Sequence, residues 1–394
     1  MKNYFWTTLT SLFFLTIVEI QAQSSENENV ENNVQQEEPE KSTLFNLDVL
    51  LRAGFNLYDP ANNPKLNATL DEARILMSGD YNNRLSYKVR FRLNQSFAPK
   101  LQDNSSGALD YAFIKYQLGS DRKWAMTIGK QAAMVGSFEF ENNPIYEYQF
   151  SDYVNRILTL FVVGGMASYQ VDSDHTLNLQ IYSTTNQSFN QLLTENNYVP
   201  GDLTPSNMPM GAYFTWEGAF AEKKFNTKWS YNISQFAEGH TNYAVSLANK
   251  FKTNRQMVYL DLQYSYYGVD HPMIASSVLN DFYIPDNKKR VLAKDIQYRS
   301  AILRYDQFLT DKWEIALKGA VETAGSKIEE NGGKNFRTNY TYFAALQHKP
   351  FRTQDLRFYI GYMGNTVTYK DSLNKKKEIY NRISLGAYFT LPVL

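Results

Sequence analysis

The chain has 394 residues, with 40 Lys or Arg, 40 Asp or Glu and no Cys. The absence of Cys excludes a disulfide framework, a thiolate nucleophile and a Cys-based metal site. The balanced charge argues against a general nucleic-acid binder, for which a basic excess is typical. The 29 Tyr and 25 Phe favour surfaces that are apolar in one zone and wet in the next.

The first 22 residues have the pattern of a secretory signal peptide. Lys2 provides the positive start, an apolar stretch follows from Tyr4 to Val18, and Glu19 ends it. The stretch is short for a membrane-spanning helix, which needs about 20 apolar residues. We therefore predict cleavage after Ala22, with an uncleaved N-terminal anchor as the alternative. No Cys follows, so a lipoprotein anchor is excluded.

Residues 23–42 are polar and low in complexity, with six Glu against Lys41 alone. Such a segment cannot bury a core, so we predict a disordered periplasmic lead-in. Because the whole chain is neutral and this segment carries −5, the remainder carries +5.

From residue 43 onward, short segments alternate between apolar and polar residues. In 85–94 the odd positions, Leu85 to Leu93, are apolar, and the even positions, Ser86 to Asn94, are polar or basic. This period of two predicts strands with one apolar and one wet face. Sixteen strands are predicted near 45–58, 67–79, 84–95, 108–118, 123–131, 156–171, 175–184, 210–220, 225–236, 242–252, 255–267, 295–307, 312–323, 336–348, 355–369 and 378–391.

The connections between these strands are of two kinds. Tight polar turns such as 119–122 and 310–312 alternate with long polar stretches such as 132–155, 185–209 and 268–294. Short turns at one end and long loops at the other are typical of a transmembrane barrel. A closed barrel satisfies every backbone group in lipid, and 16 strands leave an aqueous lumen. The predicted fold of residues 43–394 is therefore all-β, one antiparallel transmembrane β-barrel of about 16 strands within outer-membrane lipid.

The last strand carries a further pattern. Residues 384–391 have a polar residue, Gly386 and spaced hydrophobic positions. They resemble the terminal-strand signal that the barrel-assembly machinery recognises, although the chain ends in Pro392-Val393-Leu394 rather than in an aromatic residue. A last strand without a signal is the alternative.

Four segments within residues 72–157 carry a resemblance to a known family. They are Glu72 to Gly79, Leu109 to Tyr116, Ile128 to Gln131, and Gly136 to Pro144 followed by Tyr146-Glu147-Tyr148. In this order they resemble the phosphate-selective porin O and P family in its Bacteroidetes form. The resemblance implies a 16-stranded general or anion-preferring porin, usually a homotrimer, with a loop that enters the lumen at the fourth segment.

Basic residues on the wet face of one predicted strand suggest a selectivity element. Lys88, Arg90 and Arg92 alternate along it, about 7 Å apart. Such a column favours anions in a pore, as charged linings do. Arg74, Lys115 and Lys130, on neighbouring strands, would widen the column into a basic strip.

An alternative interpretation rests on three carboxylates of the 132–155 loop, Glu139, Glu141 and Glu147. If the loop folds inward, these groups would face the basic column. The constriction would then carry a transverse field rather than an anion filter.

Two other classes of function compete with passive passage of small hydrophilic solutes or anions. A closed barrel with a packed lumen would be an adhesin or a structural protein, whereas 16 strands favour an open channel. A hydrolase at the barrel rim would need a nucleophile and a base, but no GxSxG motif occurs and the four His are widely separated. We therefore expect no enzymatic activity, cofactor or metal.

Overall fold

The computed structural model describes residues 44–59, 62–81, 84–97, 106–141, 144–184, 187–283, 289–328, 332–351 and 353–393. The predicted signal peptide, 1–22, and the predicted lead-in, 23–42, lie outside the described residues. Both remain predictions.

Sixteen antiparallel strands form one closed barrel, in which each strand pairs with its neighbours in sequence and β1 pairs with β16. This confirms the predicted fold class and strand number. The strands are β1 (Asn46–Tyr58), β2 (Lys65–Tyr81), β3 (Leu85–Arg92), β4 (Leu109–Leu118), β5 (Trp124–Ala132), β6 (Phe161–Gln170), β7 (His175–Ser183), β8 (Met210–Phe220), β9 (Phe225–Ala237), β10 (His240–Lys252), β11 (Gln256–Val269), β12 (Lys294–Phe308), β13 (Trp313–Ser326), β14 (Arg337–His348), β15 (Asp355–Tyr369) and β16 (Glu378–Pro392).

One strand begins later than its alternation predicts. β6 starts at Phe161, whereas the predicted strand starts at 156. The reason is a π-helical turn at Tyr153–Ile157, in which three residues are buried inside the barrel rather than paired with β5. The apolar residues of this turn imitate the start of a strand in the sequence.

The two faces of the wall have the reverse polarity of a soluble protein. On β13, the outward Leu317 and Val321 are 42% and 40% exposed, while the inward Lys318 and Glu322 are 5% and 2% exposed. The period of two places charged side chains inside and apolar ones outside. The strands form one closed hydrogen-bonded ladder without a free edge, which lipid requires.

Aromatic side chains mark both rims of the outer face. Four Trp lie on outward positions beside the short turns, and their rings contact neighbouring aromatic groups, as in the Trp216–Trp229 pair at 5.2 Å between centroids. Tyr side chains occupy outward positions near the long loops. These two girdles match the two interfaces of a bilayer. The members are Trp124, Trp216, Trp229 and Trp313 at one rim, and Tyr243, Tyr264, Tyr266, Tyr340 and Tyr342 at the other.

The two ends of the barrel differ in their connections. Short turns such as 119–123, 221–224 and 253–255 lie at one end, and long loops such as 133–160 and 270–293 lie at the other. The long loops contain the helices α1 (Phe138–Glu141), α2 (Phe189–Glu195) and α3 (Ile274–Tyr283). None of the helices in the described ranges is long and apolar enough to cross a membrane.

Much of the apolar core lies inside the barrel rather than between sheets. Phe138, Tyr153 and Ile157 of loop 133–160 form one buried cluster with Ile274 and Val278 of α3. A second cluster contains Ile145 and Tyr148 of the same loop, packed on β1 and β13–β16. Loop 133–160 is therefore folded inward, as the resemblance of the fourth segment implies.

Candidate functional site

Loop 133–160 leaves the wall after β5 and crosses the lumen in close contact with the opposite strands. The backbone N–H of Gly136 donates to the hydroxyl of Ser230 on β9, at 2.9 Å. A Cβ at this position would lie 2.3 Å from the carbonyl oxygen of Lys228. The chain can approach the wall this closely only because residue 136 has no side chain.

Two carboxylates of the wall hold the backbone of this loop. Asp261 on β11 accepts a hydrogen bond from the N–H of Glu139 at 3.0 Å. Glu322 on β13 accepts from the N–H groups of Asp152 and Tyr153, at 2.7 and 2.8 Å. Each carboxylate binds backbone N–H groups in a different part of the loop, so these two anchors fix the loop at two separate points.

Two carboxylates of the loop, in turn, bind cations of the wall. Glu139 and Glu147 both pair with Lys318 on β13, and all three side chains are fully buried. Arg304 on β12 also pairs with Glu147. The Tyr259 hydroxyl donates a hydrogen bond to the Glu147 carboxylate at 3.2 Å. Burial alone would raise the pKa of Glu147, but Lys318 and Arg304 hold that pKa below its ordinary value. The loop is thus closed by a buried ion network.

The middle of the loop, Ile145 to Tyr148, contacts β1 and β14. The Arg52 guanidinium on β1 donates to the carbonyl oxygens of Ile145 and Glu147, at 2.9 and 2.7 Å. The Tyr148 ring packs edge-on against Phe343, with 5.5 Å between centroids. Loop 133–160 therefore contacts strands of the wall between β9 and β14, and it also contacts β1.

The third predicted loop carboxylate, Glu141, is in a different environment. It pairs with Lys228 of β9 and Lys250 of β10, each at 3.5 Å, and its side chain is 45% exposed. These pairs are longer and wetter than those of Glu139 and Glu147. They contribute less to holding the loop.

We call the inward faces of β2, β3 and β4 the basic wall. Here Arg74, Arg90 and Arg92 converge on one carboxylate, Asp110, which is fully buried. The distances from Asp110 to Arg90 Nε and Arg92 Nε are 2.8 and 2.7 Å. The Arg90 guanidinium also lies over the Tyr111 ring, 4.4 Å from its centroid. Arg74 also pairs with Glu72 at 2.9 Å. The three arginines therefore meet two carboxylates, which leaves one excess positive charge in this cluster.

The three predicted lysines occupy different positions. Lys88 pairs in the ladder with Ser78, and Lys115 with Ser86, so both extend the basic wall toward the short-turn end. Neither forms a salt bridge with a described residue, and Lys88 is exposed. Lys130 is buried, at 6% exposure, and its ladder partners are Ala112 and Val163. The register thus sets Lys130 apart from Lys115, which pairs with Thr127.

The salt bridges of Glu139, Glu141 and Glu147 are with cations outside the basic column, whereas the alternative interpretation of the sequence placed these carboxylates opposite that column. They bind the wall on the other side, where inward cations are available at closer range, while Asp110 occupies the arginines of β2 and β3. The cations that bind the loop carboxylates are Lys228, Lys250, Arg304 and Lys318.

Several residues central to this geometry were missed by the sequence analysis. Lys318 and Glu322 fall only within a predicted strand, 312–323, and Asp110 only within a family-like segment. The available signal was charge at inward positions of β12 and β13. No pattern in the sequence shows which inward charges meet across the lumen. Among the described residues, no group of three or more His, Asp or Glu is arranged to hold a metal ion.

Comparison with solved structures shows the same fold in outer-membrane proteins. The channel DcaP of Acinetobacter baumannii matches with a TM-score of 0.61 and 12% identity, over 88% of this chain and 97% of that one. An anion-selective porin from Comamonas acidovorans matches with a TM-score of 0.56 and 10% identity, over 88% and 99%. OmpT of Vibrio cholerae, in a trimer form, matches with a TM-score of 0.54 and 12% identity, over 89% and 100%.

No curated protein matches the chain. The family model of the phosphate-selective porins O and P, however, matches residues 45–391, which is nearly the whole barrel and far more than the segments noted in the sequence. Together with the closed 16-stranded barrel and its polar interior, this match shows that the chain belongs to the phosphate-selective porin O and P family and is an outer-membrane porin.

Proposed function

We propose that this porin is a diffusion channel that prefers small anions, and that it catalyses no reaction. The observation that carries the proposal is the basic wall, where Arg74, Arg90 and Arg92 share Asp110 and only Arg74 has a second carboxylate, Glu72. Lys88 and Lys115 add two cations on the same inward faces. The carboxylates Glu72 and Asp80 on β2 offset only part of this charge.

The size of the preference follows from Coulomb energies near water. One unit charge 4 Å from a permeating ion contributes about 1 kcal/mol in bulk water and about 4 kcal/mol near a protein surface. About 1 kcal/mol changes a permeability ratio roughly five-fold. The surplus of the basic wall is therefore sufficient for a moderate preference for anions in a water-filled lumen.

The geometry also argues against a constriction with a transverse field between the loop and the basic wall. That field would need Glu139 and Glu147 opposite the arginines, but both bind Lys318 and are fully buried. Only Glu141 is partly exposed, and it lies between Lys228 and Lys250. The loop supplies bulk to the lumen and little free negative charge.

The test is single-channel recording of the refolded protein in a planar bilayer under a salt gradient. We expect a reversal potential that favours chloride, and a smaller one for K88Q/K115Q, which removes two cations without opening the Asp110 cluster. The triple variant K88Q/R90Q/R92Q should reduce it further. A matched control, K223Q/K224Q, removes two exposed cations from the turn 221–224.

The outcomes separate the candidate functions. Current without charge preference, unchanged in K88Q/K115Q, would contradict the role of the basic wall and leave a general porin. No current under any condition would contradict the channel and favour an adhesin or a structural barrel. Hydrolysis by the purified barrel, lost on substitution of a His at the rim, would favour an enzyme.

We further propose that the porin is a homotrimer. OmpT of Vibrio cholerae, with the same fold, is known in a trimer form. Analytical ultracentrifugation of the detergent-solubilised protein should give the mass of three chains. A monomer mass in mild detergent would contradict this assembly.

The export route remains a proposal as well. We propose that residues 1–22 are removed after Ala22 and that the acidic segment 23–42 precedes the barrel in the periplasm. N-terminal sequencing of the protein from outer membranes should begin at Gln23. A sequence that begins at Met1 would favour the uncleaved anchor.

A further inference from the structure

A cavity of about 290 Å³ lies at the loop end of the lumen, away from the basic wall. Its floor is formed by Gln149 and Phe150 of loop 133–160, and its sides by the beginning of β14, the end of β15 and the beginning of β16. The volume is near the lower end for small-molecule sites, which start at about 300 Å³. It is large enough for one small solute.

The polar lining of this cavity consists mainly of amides and hydroxyls. Asn365 donates to the side-chain carbonyl of Asn339 at 3.3 Å. The Asn339 amide donates to the Thr341 hydroxyl at 3.1 Å and to Glu322 at 3.2 Å, which orients Asn339 and leaves the second N–H of Asn365 toward the cavity. An amide presents two donors and an acceptor with two lone pairs. A row of such groups matches a solute that carries several hydroxyls, because each hydroxyl both donates and accepts.

Two rings complete the lining, Phe150 and Tyr380. Tyr380 is 58% exposed, and its hydroxyl donates to Glu378 at 3.2 Å. Exposed ring faces beside amides suit a molecule with hydroxyls at its edge and C–H groups on its faces. A cyclic polyol has this distribution of polar and apolar surface.

Among the four charged residues of the lining, Asp152, Arg156, Arg337 and Glu378, Arg156 is the one without a salt bridge to a described residue. Asp152 is neutralised by Arg337 at 2.7 Å, and Glu378 accepts from the Tyr369 hydroxyl at 2.8 Å and pairs with Lys375 at 3.6 Å. Arg156 is exposed and makes no hydrogen bond or salt bridge with a described residue. Its guanidinium is therefore available for a carboxylate, which it can bind through two parallel hydrogen bonds.

The carboxylate of Asp270 is close enough to Arg156 for an electrostatic interaction, but the two side chains form no hydrogen bond or salt bridge. Its oxygens accept from the Tyr298 hydroxyl at 2.6 Å and from the Ser276 hydroxyl and N–H at 2.7 and 2.6 Å. Asp270 thus holds the start of α3. This leaves the hydrogen-bonding capacity of Arg156 to a solute.

We propose that this cavity is a binding site for a monosaccharide that carries a carboxylate, of the hexuronate class. Its ring hydroxyls meet Asn365 and Gln149, and its carboxylate meets Arg156. The site rests on the proposed function, because it would select solutes before they reach the basic wall. It differs from that wall in selecting by hydroxyl pattern as well as by charge.

The experiment is isothermal titration calorimetry of the refolded protein in detergent, with glucuronate, glucose, acetate and phosphate as the probes. Glucuronate should bind at least about ten-fold more tightly than each of the others, since only it uses both the amides and Arg156. R156Q should lower its affinity to that of glucose and leave glucose unchanged. N365L should weaken both sugars. R122Q, in the exposed turn 119–123, is the matched control.

Equal binding of acetate, phosphate and glucuronate would overturn the proposal in favour of a simple anion site. Glucuronate binding that survives R156Q would overturn the assignment to this cavity. Absence of glucuronate binding would overturn the proposal altogether. Calorimetry in detergent needs no conduction, whereas the reversal potential needs no ligand, so the failure of this site and the failure of the proposed anion preference are distinguishable.

Discussion

Two regions of the same lumen differ in how their inward cations are paired. On the strands that contact loop 133–160, inward cations meet carboxylates, as Lys318 meets Glu139 and Glu147. On the basic wall, Arg74, Arg90 and Arg92 share one carboxylate, Asp110. The first arrangement holds a loop in place, and the second leaves a field in the lumen.

The difference shows that an inward charge in a barrel has no fixed role. A buried ion needs a partner, because desolvation costs several kcal/mol for each unpaired ion. Lys318 is fully buried under the loop and has two partners. Lys88 is exposed to the lumen, so water can solvate it and no partner is required. Coverage by the loop, rather than residue type, separates the structural cations from those available to solutes.

The largest expected effect is that of K318M, which removes the cation that pairs with Glu139 and Glu147. This variant leaves Glu139 buried without its cation, and such a loss costs about 3–5 kcal/mol. We expect the loop to detach, with larger and noisier single-channel current and rapid proteolysis within 133–160. K318M/E139Q should recover part of the stability, because it removes one of the stranded charges. Unchanged current and proteolysis in K318M would show that the loop is held by its apolar contacts alone.

A smaller effect concerns loop 270–293, which packs against loop 133–160. Burial lowers the pKa of His271 to about 4 from its ordinary 6.5, and its Nδ1 is buried with no hydrogen-bond partner among the described residues. Above pH 6.5 the ring is neutral in both the packed and the opened loop. As the pH falls from about 6.5 to 4, only the opened loop takes up a proton.

The packed loop should therefore lose about 2 to 3 kcal/mol over that pH range. Hydrogen exchange of residues 270–283 at pH 7, 5 and 4 measures this loss. H271F, which can pack beside Phe236, should abolish the pH dependence between pH 7 and 5. A loop that opens equally in H271F would assign the effect to other groups.

The third prediction concerns D110N, which should strengthen the anion preference of the basic wall. This substitution removes one negative charge next to three arginines, so anion preference should rise by roughly five-fold, or about 1 kcal/mol. The reversal potential under a salt gradient measures it. The variant should also unfold at lower denaturant concentration, because the arginines lose a shared partner. A shift toward cations would contradict the proposed field.

The smallest effect is expected for E141Q. The pairs of Glu141 with Lys228 and Lys250 are 3.5 Å long and half exposed, and such pairs contribute about 0–1 kcal/mol. Proteolysis of the loop should remain close to that of the unmodified protein. If E141Q released the loop as fully as K318M, burial would not be what distinguishes the two pairs.

Much of the fold could be predicted from the sequence because a lipid-facing barrel needs a local pattern. Each strand must alternate between apolar and polar residues, and each pair must be joined by a turn or a loop. The sixteen predicted strands therefore match the observed ones closely. The exception, the start of β6, lies where apolar residues serve the loop instead of the wall.

The inward loop, the family and the basic residues of β2 and β3 were also accessible from the sequence. What only the tertiary structure decided is which charges meet. Glu139 and Lys318 are 179 residues apart, and Asp110 lies beside Arg74, Arg90 and Arg92 because three strands come into register. Alternation along a strand specifies which face a residue is on. It contains no information about the partner across the lumen, since that depends on barrel closure and on the path of one loop.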